Sequence, residues 1–328
     1  MPAPAARFSL LVIAVFAACD GGSELSEVRD TPWQEVASLP RALWSFGAAA
    51  YHGRLYVIGG TTSDFAESRA AYRYDPAVDQ WQQLRDLPEP VSGVKLVVVA
   101  DTMFAVGGIL GARSRRLLWA YNENSDQWMY RPEIPDGRTT QSVAAISDKI
   151  VVIAGEVQEA SIHGPRIPGD SVLVYDVATG VWSYRDPMPE PRSDHSSYGV
   201  DGEIYVVGGS WVEGGAAVSR SKVEVYRPDT DSWRTLGSDT IPSLRPALVW
   251  WQGKLHALGG IRPLNAATTG WALSSHRALD LPAGIWTIFP PLPAPLADAQ
   301  AVVLDGALYL IGGRVTQQIA SAKVWVLK

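Results

Sequence analysis

Three residues after successive prolines stand Leu43, Val91, Arg138, Arg192, Arg245 and Leu296, so arginine fills three consecutive places of one series. Guanidinium groups gathered in a partly dehydrated pocket would favour a carboxylate or another anion, because each presents a fork of donors that stays charged. Acid and base candidates lie beside them. Glu156 stands where the second glycine of a recurring pair would fall, and Asp194 and His195 follow Arg192. These types suit proton transfer, although a carboxylate at Glu156 equally suits capping or pairing with an arginine. His163 could meet His195 from a long loop, but two histidines without carboxylate ligands fall short of a metal centre. Trp44 and Trp211 offer flat faces for a sugar or peptide, or for packing a loop. No catalytic role follows from these residue types alone.

The elements that must position these residues are marked by glycine. The segments "RLYVIGG" (54–60), "TMFAVGG" (102–108), "KIVVIAG" (149–155), "EIYVVGG" (203–209), "KLHALGG" (254–260) and "ALYLIGG" (307–313) lie 48, 47, 54, 51 and 53 residues apart. A second series, Trp81, Trp128, Trp182, Trp233 and Trp286, keeps step with them, and Tyr74, Tyr121, Tyr175, Tyr226 and Leu279 precede each tryptophan by seven residues. The glycine pairs are not phosphate loops, since neither a helical pattern nor a Gly-Lys-Ser/Thr run follows them. Glycine there lets the chain take positive φ and pass close to neighbouring strands.

Composition agrees with a chain of short strands. The 328 residues include 13 Trp, 30 Gly and 23 Pro, and the apolar runs between turn residues are too short for long amphipathic helices. A net charge of −6 with scattered Lys and Arg gives no footprint for nucleic acid.

Six concordant units resemble the kelch repeat, whose period is about 50 residues and whose unit is a four-stranded propeller blade. The resemblance covers residues 31 to 328 and implies an all-β, six-bladed kelch β-propeller. The sixth unit ends without its own tryptophan, whereas Trp33 precedes the first unit in "PWQEVASLP". The spare segment is therefore expected to supply the outer strand of the last blade and close the ring. The segments between the second and third strands are longest in units three, four and five, the units that also carry the arginines. In kelch propellers the arginine position starts the innermost strand and can point at the central mouth, or can tie loops together without any ligand.

The first residues, "MPAPAARFSLLVIAVFAACDGG", carry one positive charge at Arg7, an apolar run and small residues before Cys19, the single cysteine. They read as a signal peptide over residues 1–18, and "FAAC" resembles a bacterial lipobox, with Phe16 in place of the usual Leu. Cys19 is the expected lipidation site, residues 19–30 the tether, and residues 31–328 the propeller. The expected location is the bacterial cell envelope, on its periplasmic or extracytoplasmic face, with the membrane reached through the lipid.

The kelch fold hosts binders and enzymes alike. Copper-radical oxidases need a cysteine joined to tyrosine, and the lone cysteine lies in the leader. A closer enzyme resemblance is to bacterial sialic-acid mutarotases, in which Glu156 or His195 would move protons and the three arginines would hold the sugar carboxylate. The preferred reading is a tethered, monomeric binding protein without cofactor. Its loop face over blades three to five, with Arg138, Arg192, Asp194, Arg245, Trp44 and Trp211, would take an envelope protein segment, a glycan or an anionic ligand.

Overall fold

The computed structural model describes residues 32–158, 166–213, 216–262 and 271–328. Within them the chain forms six antiparallel sheets, each built on four strands. The first blade runs outward through Gly47–Tyr51, Arg54–Ile58, Ala71–Asp75 and Gln80–Gln83. The pattern then repeats with innermost strands at Lys95–Val99, Ser142–Ile146, Ser193–Val200, Ala247–Trp251 and Gln300–Leu304. Each innermost strand touches that of the next blade, and the sixth touches the first. In the sixth blade the outermost strand is Gln34–Val36, paired antiparallel with Val324–Leu327 through Gln34 opposite Val326 and Val36 opposite Val324. The N-terminal segment thus closes the ring.

A four-stranded sheet has two faces to cover, and here each face packs on the next blade. Six buried apolar clusters fill the six gaps, such as Tyr56, Ile58, Met103 and Trp119 between the first and second blades. In the first four repeats the tyrosine and tryptophan are cross-strand partners, as Tyr74 opposite Trp81 and Tyr175 opposite Trp182, with ring centroids 5.1 and 5.0 Å apart, and in the fifth Leu279 stands opposite Trp286. The indole then reaches the preceding blade: Trp81 Nε1 donates to the Ala37 carbonyl at 2.8 Å, and Trp233 Nε1 to Asp186 at 3.0 Å. A turn aspartate completes the tie, because Asp79 Oδ1 accepts from the Tyr74 hydroxyl at 2.7 Å and from the Ala37 amide at 2.8 Å.

The glycine pairs act nearer the axis. The second glycine donates to the next blade, as in Gly60 N to Val91 O at 2.8 Å and Gly209 N to Ser243 O at 3.0 Å. At Gly208, φ is +73° and a Cβ would lie 2.2 Å from the Ser243 carbonyl, which is backbone and cannot swing away. In the third unit Gly155, with φ +93°, holds the second place and Ala154 the first. The expectation for Glu156 is therefore corrected: it follows the pair instead of replacing its second glycine.

The closing strand yields a direct test. Trp33 is 5 % exposed and packs in the cluster between the fifth and sixth blades. Trp33→Ala is expected to cost about 3–5 kcal/mol in urea unfolding, by lost burial and an unfilled cavity. Deleting residues 31–40 should lower the thermal midpoint further and broaden the transition; an unchanged midpoint would defeat the closure.

Candidate functional site

Before each innermost strand the chain turns through one residue of positive φ: Ser45, Gly93, Thr140, Asp194, Arg245 and Asp298, with φ between 48° and 66°. Several of these join backbone to backbone. Ser45 N donates to Asp298 O at 3.3 Å, Gly93 N to Ser45 O at 2.7 Å, Asp194 N to Thr140 O at 3.3 Å and Arg245 N to Asp194 O at 2.6 Å. Each donor bonds the preceding blade, so the residues form a collar at one mouth of the central channel. Below the collar lies a cavity of about 700 Å³ lined by all six innermost strands.

The collar's side chains are charged on one side. Arg245 donates from Nε to Asp194 Oδ1 at 2.7 Å and from a terminal nitrogen to Asp298 Oδ1 at 2.8 Å. Arg314, just after the last glycine pair, donates from Nε to Asp298 Oδ2 at 2.9 Å. Burial alone would push the Asp298 carboxyl up, but Arg245 and Arg314 hold it below the usual carboxylate range. Burial likewise works against the charge of Arg245, and Asp298 and Asp194 outweigh it and raise its pKa. The Arg314 guanidinium is stacked between Trp44 and Trp271, 3.7 and 4.4 Å from the ring centroids. Trp44 is thus occupied by a cation of its own chain and is not an open platform.

The three predicted arginines do not converge. Arg138 is buried, donates to the carbonyls of Ala154 at 3.3 Å and Ser171 at 2.9 Å, and pairs with Asp136 at 2.7 Å. Arg192 has no exposed surface, donates to Gly208 O at 3.2 Å and Lys222 O at 3.0 Å, and pairs with buried Glu224. Both fasten strands within their own blades. Burial pushes Glu224 up and Arg192 down although the two face each other, so desolvation here outweighs attraction. Only Arg245 lines the channel, and it belongs to a different register. In the fifth blade the place of Arg192 is taken by Ser243, and Arg277 reaches back from the third strand to Ser243 Oγ at 2.9 Å and to buried Asp239. Counting ten residues from each tryptophan gives Leu43, Val91, Arg138, Arg192, Ser243 and Leu296, a ruler that the extra spacing around Pro242 does not disturb.

The acid and base candidates fare no better. His195 is 2 % exposed and faces the Ile153 carbonyl without well-formed hydrogen-bond geometry. Burial, then the Arg192 charge, depresses it to about 3, so it stays neutral in the channel wall, with almost no exposed surface. Glu156 Oε2 accepts from Thr139 Oγ1 at 3.3 Å across paired strands. Asp194 is spent on Arg245. The mutarotase arrangement of an arginine clamp around a free acid and base is therefore not formed by these residues. His163 and Cys19 lie outside the described residues. Among the described residues no group of three or more His, Cys, Asp or Glu side chains is arranged to hold a metal ion.

The loop face around the mouth does carry extensions. In the third blade the strands Lys149–Gln158 and Arg166–Asp176 run on past the sheet, and in the fourth Glu203–Glu213 continues into a hairpin with Ala216–Ser219. Trp211 sits in that hairpin opposite Val218, which is exposed. Across the mouth, Phe65 and Ile319 are each 55 % exposed on neighbouring loops, joined by Ala320 N donating to Ser63 Oγ at 3.3 Å. Phe65, Lys95, Trp271, Asp298 and Arg314 carry no signal of their own in the sequence; only alignment on the collar position exposes them.

Sheets, ring and loop face define a kelch-type β-propeller with an elaborated mouth. Residues 26–209 match the KLHDC2/KLHL20/DRC7 Kelch-repeats domain, and residues 191–239 match the Kelch motif. The chain belongs to the Kelch-repeat family. It is similar to Kelch-like protein 36 of Rattus norvegicus, 25 % identical over 84 % of this chain and 45 % of the relative. It is also similar to Kelch-like protein 35 of Mus musculus, 27 % identical over 70 % of this chain and 37 % of the relative. The chain thus spans less than half the length of these relatives.

Two outcomes follow. Arg192→Met should cost about 3–5 kcal/mol in urea unfolding, because it strands Glu224 in the interior, and adding Glu224→Leu should recover part of that loss; a neutral Arg192→Met would restore a ligand role to this arginine. The second concerns acid. His195, His256 and His276 are depressed to about 3, 4 and 3, chiefly by burial, and His256 Nδ1 faces His276 Nε2 at 2.8 Å. The unfolded chain protonates these histidines below about pH 6.5 while the folded one does not, so stability should fall as pH drops from about 6.5 toward 4. Each contributes a slope of at most about 1.4 kcal/mol per pH unit. Exposed His52, raised by hydrogen bonds to Glu123 and Asp101, acts in the opposite sense, supporting the fold at low pH and losing that support as pH rises through its raised value. Urea titrations at about pH 7 and about pH 5 should show the net loss, and His276→Phe should make it smaller.

Proposed function

We propose that this propeller is a non-catalytic binding module that takes a segment of another protein across its loop face. The observation that supports this best is the pairing of the raised blade-four hairpin, bearing Trp211 and Val218, with the exposed apolar Phe65 and Ile319 at the same face. Between them the mouth is a charged but largely self-neutralised surface, with Asp194 and Asp298 taken up by Arg245 and Arg314. Such a mouth supplies orientation through polar contacts, while the apolar rim supplies affinity. Kelch-like relatives are longer chains, and a propeller within a longer protein is suited to recognition. Lipid on Cys19 would hold the module at a membrane, raising its effective concentration near envelope proteins.

The test uses the folded propeller with a photo-reactive side chain at Phe65, at Trp211, or at exposed Tyr130 on the outer strand of the second blade. A partner should crosslink from the first two positions and not from the third. Once it is identified, Phe65→Asp with Trp211→Asp should weaken binding by at least about tenfold, or about 1.4 kcal/mol, with the melting temperature kept. Crosslinking from Tyr130 alone would place recognition on the rim and overturn the loop-face reading.

A further inference from the structure

The channel beneath the collar holds a cation with no ion-pair partner among the described residues. Lys95 opens the innermost strand of the second blade, two residues past the collar glycine Gly93, and lines the cavity. Among the described residues it makes no hydrogen bond or ion pair. Its ammonium nevertheless interacts through charge with Asp298, Arg245 and Asp194 across the channel, and it depresses His195 from the same position. It therefore faces the channel, where it is half-buried. The two nearby carboxylates are already engaged. Arg245 takes one oxygen of each, and Arg314 takes the other oxygen of Asp298. Counting these five groups, two acids face three bases, which leaves one positive charge at the level of Lys95; Glu67, which also lines the cavity, lies higher on the loop face, where it accepts from Gly111 N at 2.9 Å.

The surroundings give the missing counter-charge a shape. At the level of Lys95 the other blades contribute Gly47, Ser142, Ser196, Ala247 and Gln300. Gly47 lies between Lys95 and Gln300 in the order of the ring, and all three stand on innermost strands of adjoining blades. Below this level the first, second and sixth blades turn apolar and mostly small, with Ala48 to Ala50, Val97 and Ala301 among the lining residues, while the fourth contributes Ser197 and Tyr198. A cavity of about 700 Å³ lies within the usual size range of small-molecule sites. Inorganic anions would satisfy the charge but leave the apolar part of the channel unused.

We propose that the channel binds a small organic acid with a compact apolar body, its carboxylate on Lys95 and Gln300 and its apolar part down the alanine-lined shaft. This site lies beneath the proposed loop-face surface, whose Phe65 reaches its upper rim, and it stands whether or not that surface takes a protein. Burial pushes the Lys95 ammonium down, and a bound carboxylate would reverse that shift.

Benzoate and cyclohexanecarboxylate serve as probes, with benzamide and chloride as controls, followed by saturation-transfer NMR and calorimetry on the propeller. Both acids should bind. Benzamide, which lacks the charge, and chloride, which lacks the apolar body, should bind at least about tenfold more weakly, because a charge-assisted contact is about twice as strong as a neutral one. Lys95→Met should abolish benzoate binding yet match or exceed the wild-type melting temperature without ligand, because it removes an unpaired buried charge. Lys95→Arg should retain binding, and so should Trp211→Asp, which lies outside the lining of the channel. The proposal is overturned by wild-type protein that binds neither acid, by chloride matching benzoate, or by Lys95→Met binding benzoate unchanged. Should Lys95→Met not fold, Lys95→Gln carries the same expectation.

Discussion

The collar is the constraint on which the rest of the ring depends. Ser45, Gly93, Thr140, Asp194, Arg245 and Asp298 all enter the innermost strands at positive φ, a conformation that costs a non-glycine residue free energy unless the surroundings hold it. At Ser45, Gly93, Asp194 and Arg245 the surroundings are the preceding blade, whose carbonyl accepts the collar N–H. A blade displaced outward would break that bond and also the glycine-pair bond beside it, as at Gly209 and Ser243. Blade spacing is thus set at the axis by backbone and at the periphery by tryptophan, with the apolar clusters filling the wedge between. Closure by Gln34–Val36 matters for the same reason, since one open gap would free both sets of bonds.

Fixed blade spacing explains why buried charge is used as it is. Arg138 and Arg192 occupy the place held by Leu43, Val91 and Leu296 in other blades, so the site itself tolerates a hydrophobe. The arginines add carbonyl contacts to the third strand that a leucine cannot make, at Ser171 and Lys222. These are the blades whose second and third strands extend into long hairpins. Fastening the third strand at the point where the hairpin departs resists its leverage on the sheet. In the fifth blade Arg277, Asp239 and Ser243 reach the same end from the opposite direction, with the acid placed where other blades carry an apolar residue.

The blade count, the strand order and the closing segment are legible in the chain because each rests on local chemistry repeated six times. Glycine pairs, the tyrosine–tryptophan cross-strand pair and turn aspartates all survive as spacing. The site is less legible. Proline is a poor ruler for the arginine series because it is free to shift in a linker, and it groups Arg245 with residues two places out of register. Tryptophan keeps its distance because its ring must pack beside its cross-strand partner at the blade edge, and in three blades its indole N–H also reaches a carbonyl of the preceding blade. Lys95 leaves no local signal at all: a lysine beginning a strand looks like any exposed strand end until the ring turns that end inward. Trp44 misleads for a related reason, since its partner Arg314 lies at the far end of the sequence.

The hollow axis follows from the same geometry. An interior cavity normally shrinks as its walls relax, and the cost of the remaining void is felt as lost stability. The innermost strands here cannot move inward without breaking collar bonds, and their small residues, Gly47 to Ala50 above all, leave the space unfilled. A void that cannot collapse must hold water or a ligand wherever it is polar. Its upper part is polar by virtue of Lys95 and Gln300, and its lower part is apolar along the first, second and sixth blades, so water suits one end better than the other. The occupant that matches both ends is amphipathic, negatively charged at the top and apolar below.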